Sequence, residues 1–111
     1  MSEIKILLCC GAGMSSGFLA SKARKYVKKH KISAVVEARS TSEVPELYGD
    51  IDILMLGPHY APELAAYKEA VAGYDFPVVV IPQDIYAQLD GERLVNLAFK
   101  TITENNEEGN L

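Results

Sequence analysis

Apolar residues in this chain fall in short unbroken runs, separated by glycine, proline and stretches of helical spacing. Ile4 to Cys10 (IKILLCC) is the first run, and it stops at Gly11-Ala12-Gly13. A run of that kind predicts a strand buried on both faces, as in a parallel sheet. Behind it Ser15 or Ser16 supplies a helix N-cap. Leu19, Ala23, Tyr26 and Val27 then recur at helical spacing, with Lys22, Lys25, Lys28 and Lys29 mostly off that stripe. Ala34-Val35-Val36 with Ala38 predicts a second strand. Thr41 to Asp50 contains Pro45 and Gly49 and has room only for a short helix or turn. Ile51 to Leu56 is a third strand, stopped by Gly57-Pro58. Pro62 suits a first helical turn, after which Leu64, Ala65, Tyr67, Ala70 and Val71 continue a helix to Gly73. Pro77 to Ile81 is a fourth strand, and Asp90 caps a last helix carrying Leu94, Val95, Ala98, Phe99 and Ile102. Residues 104–111 are polar and are expected to fray, leaving 1–103 as one domain.

Strands alternating with helices mean an α/β domain with a four-stranded parallel sheet flanked by helices and right-handed crossovers. With strand order 2-1-3-4 the first strand is central. Ligands of such sheets bind beyond the carboxyl ends of the strands, where the order reverses. The loop from Cys10 to Gly17 occupies that place.

Composition narrows the class. At 111 residues, 49% apolar and 23% charged, the chain is long enough for a core without metal or disulfide staples. No stretch approaches the ~20 apolar residues that span a bilayer. The cysteines fall at 9 and 10, too early to follow a full apolar signal segment, so a cytoplasmic protein with reduced thiols is expected. Net charge is −4, yet residues 1–31 carry seven Lys/Arg against one acid. Six of those cations lie between Lys22 and Lys31, on the second half of the predicted helix, where they complement its dipole. That reads as a solvated face and not as a nucleic-acid footprint, since the whole chain is acidic.

The loop carries the chemistry. Glycine and alanine at 11–13 let successive backbone N–H groups converge on one anion, and the helix behind adds its positive end. Ser15 and Ser16 add hydroxyl donors. A cysteine at the mouth of such a nest has a stabilised thiolate, with pKa values of roughly 3.5 to 7.5 in comparable settings. Nucleophile and phosphate cradle therefore coincide at Cys10. A nucleotide P-loop is excluded because the loop has no lysine. The dinucleotide fingerprint fits Gly11 and Gly13 but meets Ser16 where its third glycine belongs, and Glu37 would have to serve as the ribose acid. Vicinal thiols suit a soft metal, yet there is no third cysteine and neither histidine is close in sequence, so no metal or cofactor is expected. Cys9, opposite Cys10 by strand alternation, reads as a core residue. A cysteine phosphatase needs an arginine six residues after its nucleophile, and that position is Ser16. Arg24 lies two helical turns further on and points away. Without the bidentate clamp the loop reads as a carrier that accepts a phosphoryl group and passes it on. Phosphatase or arsenate reductase chemistry, and a thiol redox or metal module using both cysteines, are the alternatives.

These residues resemble the IIB component of the bacterial sugar phosphotransferase system, lactose/cellobiose/chitobiose type. The match rests on the apolar strand running into Cys10-x-Ala12-Gly13-Met14-Ser15-Ser16, with the Leu56-Gly57-Pro58 turn and Pro82-Gln83 in register. The resemblance implies the fold of low-molecular-weight tyrosine phosphatases without their arginine. It implies a phosphocysteine at Cys10, with phosphate held by Gly11, Ala12, Gly13, Met14, Ser15, Ser16 and Gly17. The donor would be a phosphohistidine of the IIA partner. The acceptor would be a sugar, a β-linked disaccharide, entering through the membrane IIC partner. A monomer is expected.

Three other positions stand at the same end of the sheet. His59 follows Gly57-Pro58 and is either solvated or close to the phosphate or a partner. Asp84 is either a helix cap beside Pro82 or an acid in the loop where related phosphatases keep one. Met14 and Phe18 are placed to touch partners, Phe18 equally to enter the core.

Overall fold

The computed structural model describes residues 3–9 and 14–109. Four parallel strands, β1 (Ile4–Cys9), β2 (Ala34–Arg39), β3 (Ile53–Leu56) and β4 (Val78–Val80), form one sheet in the order β2-β1-β3-β4. The helices are α1 (Met14–Lys29), α2 (Leu64–Ala70), α3 (Gln83–Gln88) and α4 (Gly91–Gly109), with 3-10 helices over Val44–Asp50 and Pro58–Glu63. The expected architecture and strand order are therefore both present.

Alternation along β1 divides the core in two. Ile6 and Leu8 face one side with Val36, Ile53 and Met55, covered by Leu19, Ala20, Ala23 and Val27 of α1, Ile85 of α3 and Leu94, Val95 and Ala98 of α4. Leu7 and Cys9 face the other side with Leu54, Leu56 and Val78, covered by Val44, Tyr48, Val71 and Phe76. Both faces are dry, which is why β1 and β3 read as continuous apolar runs. Leu8, Ile53, Leu54, Met55 and Leu56 have no exposed surface at all. Truncating any of them to alanine costs about 2–5 kcal/mol.

The crossover from β1 to β2 runs through α1 on one face, and the chain returns to β3 across the other face through the Val44–Asp50 helix. β1 and β3 are thus the central pair, on either side of the point where the strand order reverses and ligands of such sheets bind.

Several boundaries differ from the sequence expectation. α1 begins at Met14, so Ser15 and Ser16 lie inside its first turn and neither is the N-cap. α3 has no apolar stripe to announce it and buries only Ile85. It ends on Leu89 in the left-handed conformation (φ 51°), and Asp90 then caps α4, accepting the Arg93 amide at Oδ1 (3.1 Å) and the Leu94 amide at its carbonyl (3.0 Å). Gly91 follows because α1 crosses here. A Cβ at 91 would come within 2.5 Å of the Ala23 nitrogen and the Lys22 carbonyl carbon. The backbone of α4 stays helical to Gly109, through most of the polar 104–111 segment.

β2 is an outer strand. Arg24, from α1, donates Nε–H to the Val36 carbonyl at 2.7 Å. Arg39 donates to its neighbouring Ala38 carbonyl (3.2 Å) and pairs with Glu37 at 3.1 Å. Lys22, Lys25, Lys28, Lys29 and Lys31 are exposed, as a solvated basic face should be.

Candidate functional site

The site is built where β1 ends. Cys9 is its last residue, α1 starts at Met14, and the intervening segment Cys10, Gly11, Ala12 and Gly13 lies outside the described residues. Met14, Ser15, Ser16 and Gly17 form the first turn of α1, whose unpaired amides and positive dipole end are therefore directed toward the segment that follows β1. Gly17 is half-buried, and no described atom lies within 4 Å of a Cβ built on it.

β3 ends alongside β1. The Gly57 amide donates to the Cys9 carbonyl at 3.1 Å, tying the turn after β3 to the end of β1. Likewise the Ile81 amide donates to the Leu56 carbonyl at 2.8 Å, bringing the end of β4 and the Pro82-Gln83 turn alongside. The turns after β3 and β4 thus lie beside the end of β1 at the carboxyl edge of the sheet, because backbone hydrogen bonds continue past the last strand residues.

Cys9 faces away from α1. It is 1% exposed, and its Sγ lies 3.8 Å from the Tyr67 hydroxyl. Burial, then the hydrogen bond with Cys9, pushes the Tyr67 phenol above its ordinary range. Burial and the nearby Cys9 push the Tyr48 phenol the same way. Cys9 is the core residue that strand alternation predicts. Its tyrosine partner carried no sequence signal, because 58 positions separate the two.

Asp84 sits in the first turn of α3, where its carboxylate accepts hydrogen bonds from the backbone amides of Asp84 and Ile85. It is ion-paired to Arg93 at 2.6 Å on the surface, and that hydrogen bond holds its carboxyl below the ordinary value. Asp84 thus serves the start of α3 beside Pro82, as its capping reading expects, and adds a helix–helix ion pair. Glu37 lies within β2, paired to Arg39, and not at the carboxyl edge where a ribose would sit. Phe18 is 58% exposed and so is not a core residue. His59 is exposed beside Gly57, with its ring against Tyr60 and Tyr86. Among the described residues no group of three or more His, Cys, Asp or Glu is placed to hold a metal, and no helix is long and apolar enough to cross a membrane.

Residues 5–97 match the family model described as the lactose/cellobiose-specific IIB subunit of the PTS, the sugar phosphotransferase system. The chain belongs to that IIB family. The match covers β1 from Lys5, the other three strands and α1 to α3. Among curated relatives, the galactose-specific EIIB component of Lactococcus lactis subsp. cremoris is 30% identical over 105 residues, covering 88% of this chain and 95% of the relative. The cellobiose-specific EIIB component of Lactococcus lactis subsp. lactis is 30% identical with the same coverage. Among solved structures, the cellobiose-specific phosphotransferase IIB component of Borrelia burgdorferi superposes with a TM-score of 0.78 at 28% identity, covering 94% of this chain and 95% of that one. The lactose-specific IIB domain of Streptococcus pneumoniae, 17% identical, has the same fold with a TM-score of 0.71 over 90% and 98% of the two chains. IIB proteins share this fold with the low-molecular-weight tyrosine phosphatases. This chain is thus a phosphotransferase-system component of the cellobiose/lactose type.

Proposed function

We propose that this IIB protein is a phosphocysteine carrier, with Cys10 as the nucleophile and residues 11–17 as its phosphate cradle. The observation that supports it is the position of residue 10, between the end of a central strand and the N-terminus of a 16-residue helix at the switch point of the sheet. A phosphoryl group carries about −1.5 to −2 charges near neutral pH. The N-terminal end of α1 suits such a charge.

The Cys10 thiolate attacks the phosphorus of a phosphohistidine on the IIA partner. The P–S bond forms as the P–N bond breaks, and the donor imidazole leaves with the electron pair. In the second step a hydroxyl oxygen of the sugar attacks the same phosphorus in the complex with membrane IIC. The P–S bond breaks, the thiolate leaves, and the hydroxyl proton passes to a base on the sugar side. Neither step asks this chain for a general base, because a thiolate serves as both nucleophile and leaving group. The protein's contribution is positioning and charge stabilisation. We assign the sugar to the β-linked disaccharides, the protein to the cytoplasm, and the working unit to residues 1–103 as a monomer that needs no cofactor.

The rival reading, a cysteine phosphatase, needs a guanidinium on the phosphate. Arg24 is engaged at the Val36 carbonyl, at the outer edge of β2. Intact-mass spectrometry after incubation with phosphoenolpyruvate, the general phosphotransfer proteins and a cognate IIA tests the carrier. A single phosphoryl adduct is expected in wild type and in Cys9→Ser, and none in Cys10→Ser. No adduct from a demonstrably phosphorylated IIA excludes the carrier.

A further inference from the structure

Charge is unevenly divided over this molecule. Residues 1–31 carry seven Lys/Arg and one acid, residues 32–111 four Lys/Arg and fourteen acids, and no acid occurs between Glu3 and Glu37. α1 holds most of the positive share. Phe18, Lys22, Lys25 and Lys29 are spaced i, i+4, i+7 and i+11, which places them on one ridge of the helix. The ridge lies away from the sheet, since Leu19, Ala20, Ala23 and Val27 carry the opposite side of α1 into the core. It runs about 16 Å along the helix, with Lys28 on its flank and Lys31 just beyond its end. All five lysines are exposed, and among the described residues no acid is paired with any of them. On α3 and α4, which share this side of the sheet, Asp84 is bound to Arg93, Asp90 to the start of α4, and Glu92 and Glu104 are exposed. Phe18 stands at the head of the ridge, 58% exposed.

We propose that the outer ridge of α1 docks on an anionic lipid bilayer, with its lysines over the headgroups and the Phe18 ring entering the interface. Three features favour lipid over an acidic protein. The cations are lysines, mobile point charges that suit a diffuse negative surface, whereas the fork of an arginine suits a fixed carboxylate. The one arginine of α1 is spent on the Val36 carbonyl. The lysines stand in line on a convex surface, which meets a plane along its length. An exposed aromatic ring in line with lysines is also the composition of an interfacial segment. Orientation follows from the rest of the chain: Glu46, Asp50, Glu63 and Glu69 belong to the elements covering the other face of the sheet, so the negative potential of a bilayer turns α1 toward it. The surface requires nothing of Cys10 and goes beyond the carrier reading. A protein that must meet a membrane partner is gathered at the membrane before it docks.

Co-sedimentation with vesicles tests the surface, using phosphatidylcholine alone and an equal mixture of phosphatidylcholine and phosphatidylglycerol. The whole protein is expected to sediment with the mixed vesicles at low salt, to be released at high salt, and to ignore phosphatidylcholine. Lys22→Gln, Lys25→Gln and Lys29→Gln are each expected to weaken the partitioning about fivefold. Lys5→Gln, Lys68→Gln and Lys100→Gln together change the net charge as much as the ridge triple and are expected to weaken it far less. The chain has no tryptophan, so Phe18→Trp supplies a single indole whose emission is expected to shift to the blue on the mixed vesicles. Equal losses from the two triples, binding with no change in that emission, or no preference for anionic lipid overturns the inference. Wild type that ignores both vesicles, while the ridge triple loses phosphoryl uptake from IIA, overturns it too and assigns the ridge to an acidic protein.

Discussion

Cys9 Sγ and the Tyr67 hydroxyl stand 3.8 Å apart, joining the end of the central strand to α2 across the face opposite α1. Cys9 is therefore committed to the core. Cys9 is sealed among Val44, Leu54, Leu56 and Phe76, while Cys10 is the residue we assign to chemistry. A brief pulse of iodoacetamide on the native protein is expected to label Cys10 and spare Cys9, read by peptide mass, with both labelled after denaturation. Tyr67→Phe keeps the ring and removes only the hydroxyl, and is expected to cost about 0.5–1.5 kcal/mol in urea unfolding.

Gly91 fixes the α1–α4 crossing. A methyl group there meets the Lys22 carbonyl carbon and oxygen and the Ala23 nitrogen, all backbone and none able to rotate aside. Gly91→Ala is expected to destabilise by about 1–3 kcal/mol through forced separation of the helices. A thermal midpoint unchanged from wild type would show that the two helices part freely.

Gly17 is the opposite case. It occupies the first turn of a long helix with open space around its α-carbon, and glycine inside a helix costs about 0.5–1 kcal/mol relative to alanine. Gly17→Ala is expected to raise stability by that amount in denaturant titration. Phosphoryl adduct formation by the same variant then reports whether the phosphate needs a bare backbone at this position.

Asp84 gives a pH dependence with a defined sign. Its carboxyl is held below the ordinary value by Arg93, so the folded protein releases this proton more readily than the unfolded chain does. The pair stabilises the fold above the unfolded-state pKa of about 3.9, and that contribution is lost as pH falls through the depressed folded-state value. Asp84→Asn is expected to lower the melting temperature slightly at neutral pH and not at all in strong acid. Both partners are about half exposed, so added salt is expected to erase the difference.

Where interactions are local or periodic, the sequence was sufficient. β1, β3 and β4 announce themselves because a sheet covered on both faces demands apolar side chains at consecutive positions, and Asp90 announces α4 because a cap acts within three residues. The start of α1 was misplaced because serine suits both the N-cap and the first turn beyond it. The choice is made by backbone geometry, which composition does not encode. α3 has only Asp84 beside Pro82 to hint at it, because a six-residue helix burying only Ile85 has no periodicity to read, and it ends on a left-handed leucine where glycine is the usual signal. Arg93 for Asp84, Tyr67 for Cys9 and α1 for Gly91 are partners supplied by folding. The cysteine loop was legible as chemistry because nucleophile, glycines and helix start are contiguous. The folding of His59 over Gly57, and the rings of Tyr60 and Tyr86 around it, were not.

Arg24 has a consequence beyond its absence from the phosphate site. An outer parallel strand exposes a row of carbonyls and amides that can template pairing with another chain. Here the Val36 carbonyl is occupied by a guanidinium from α1 and the Ala38 carbonyl by Arg39, with Glu37 and Arg39 adding opposite charges beside them. A second copy approaching edge-on must first displace side chains that are already bonded and then bury their charges. The outer edge of β2 is thereby capped by side chains of the chain itself, and the arginine nearest in sequence to the cysteine loop is spent on the sheet.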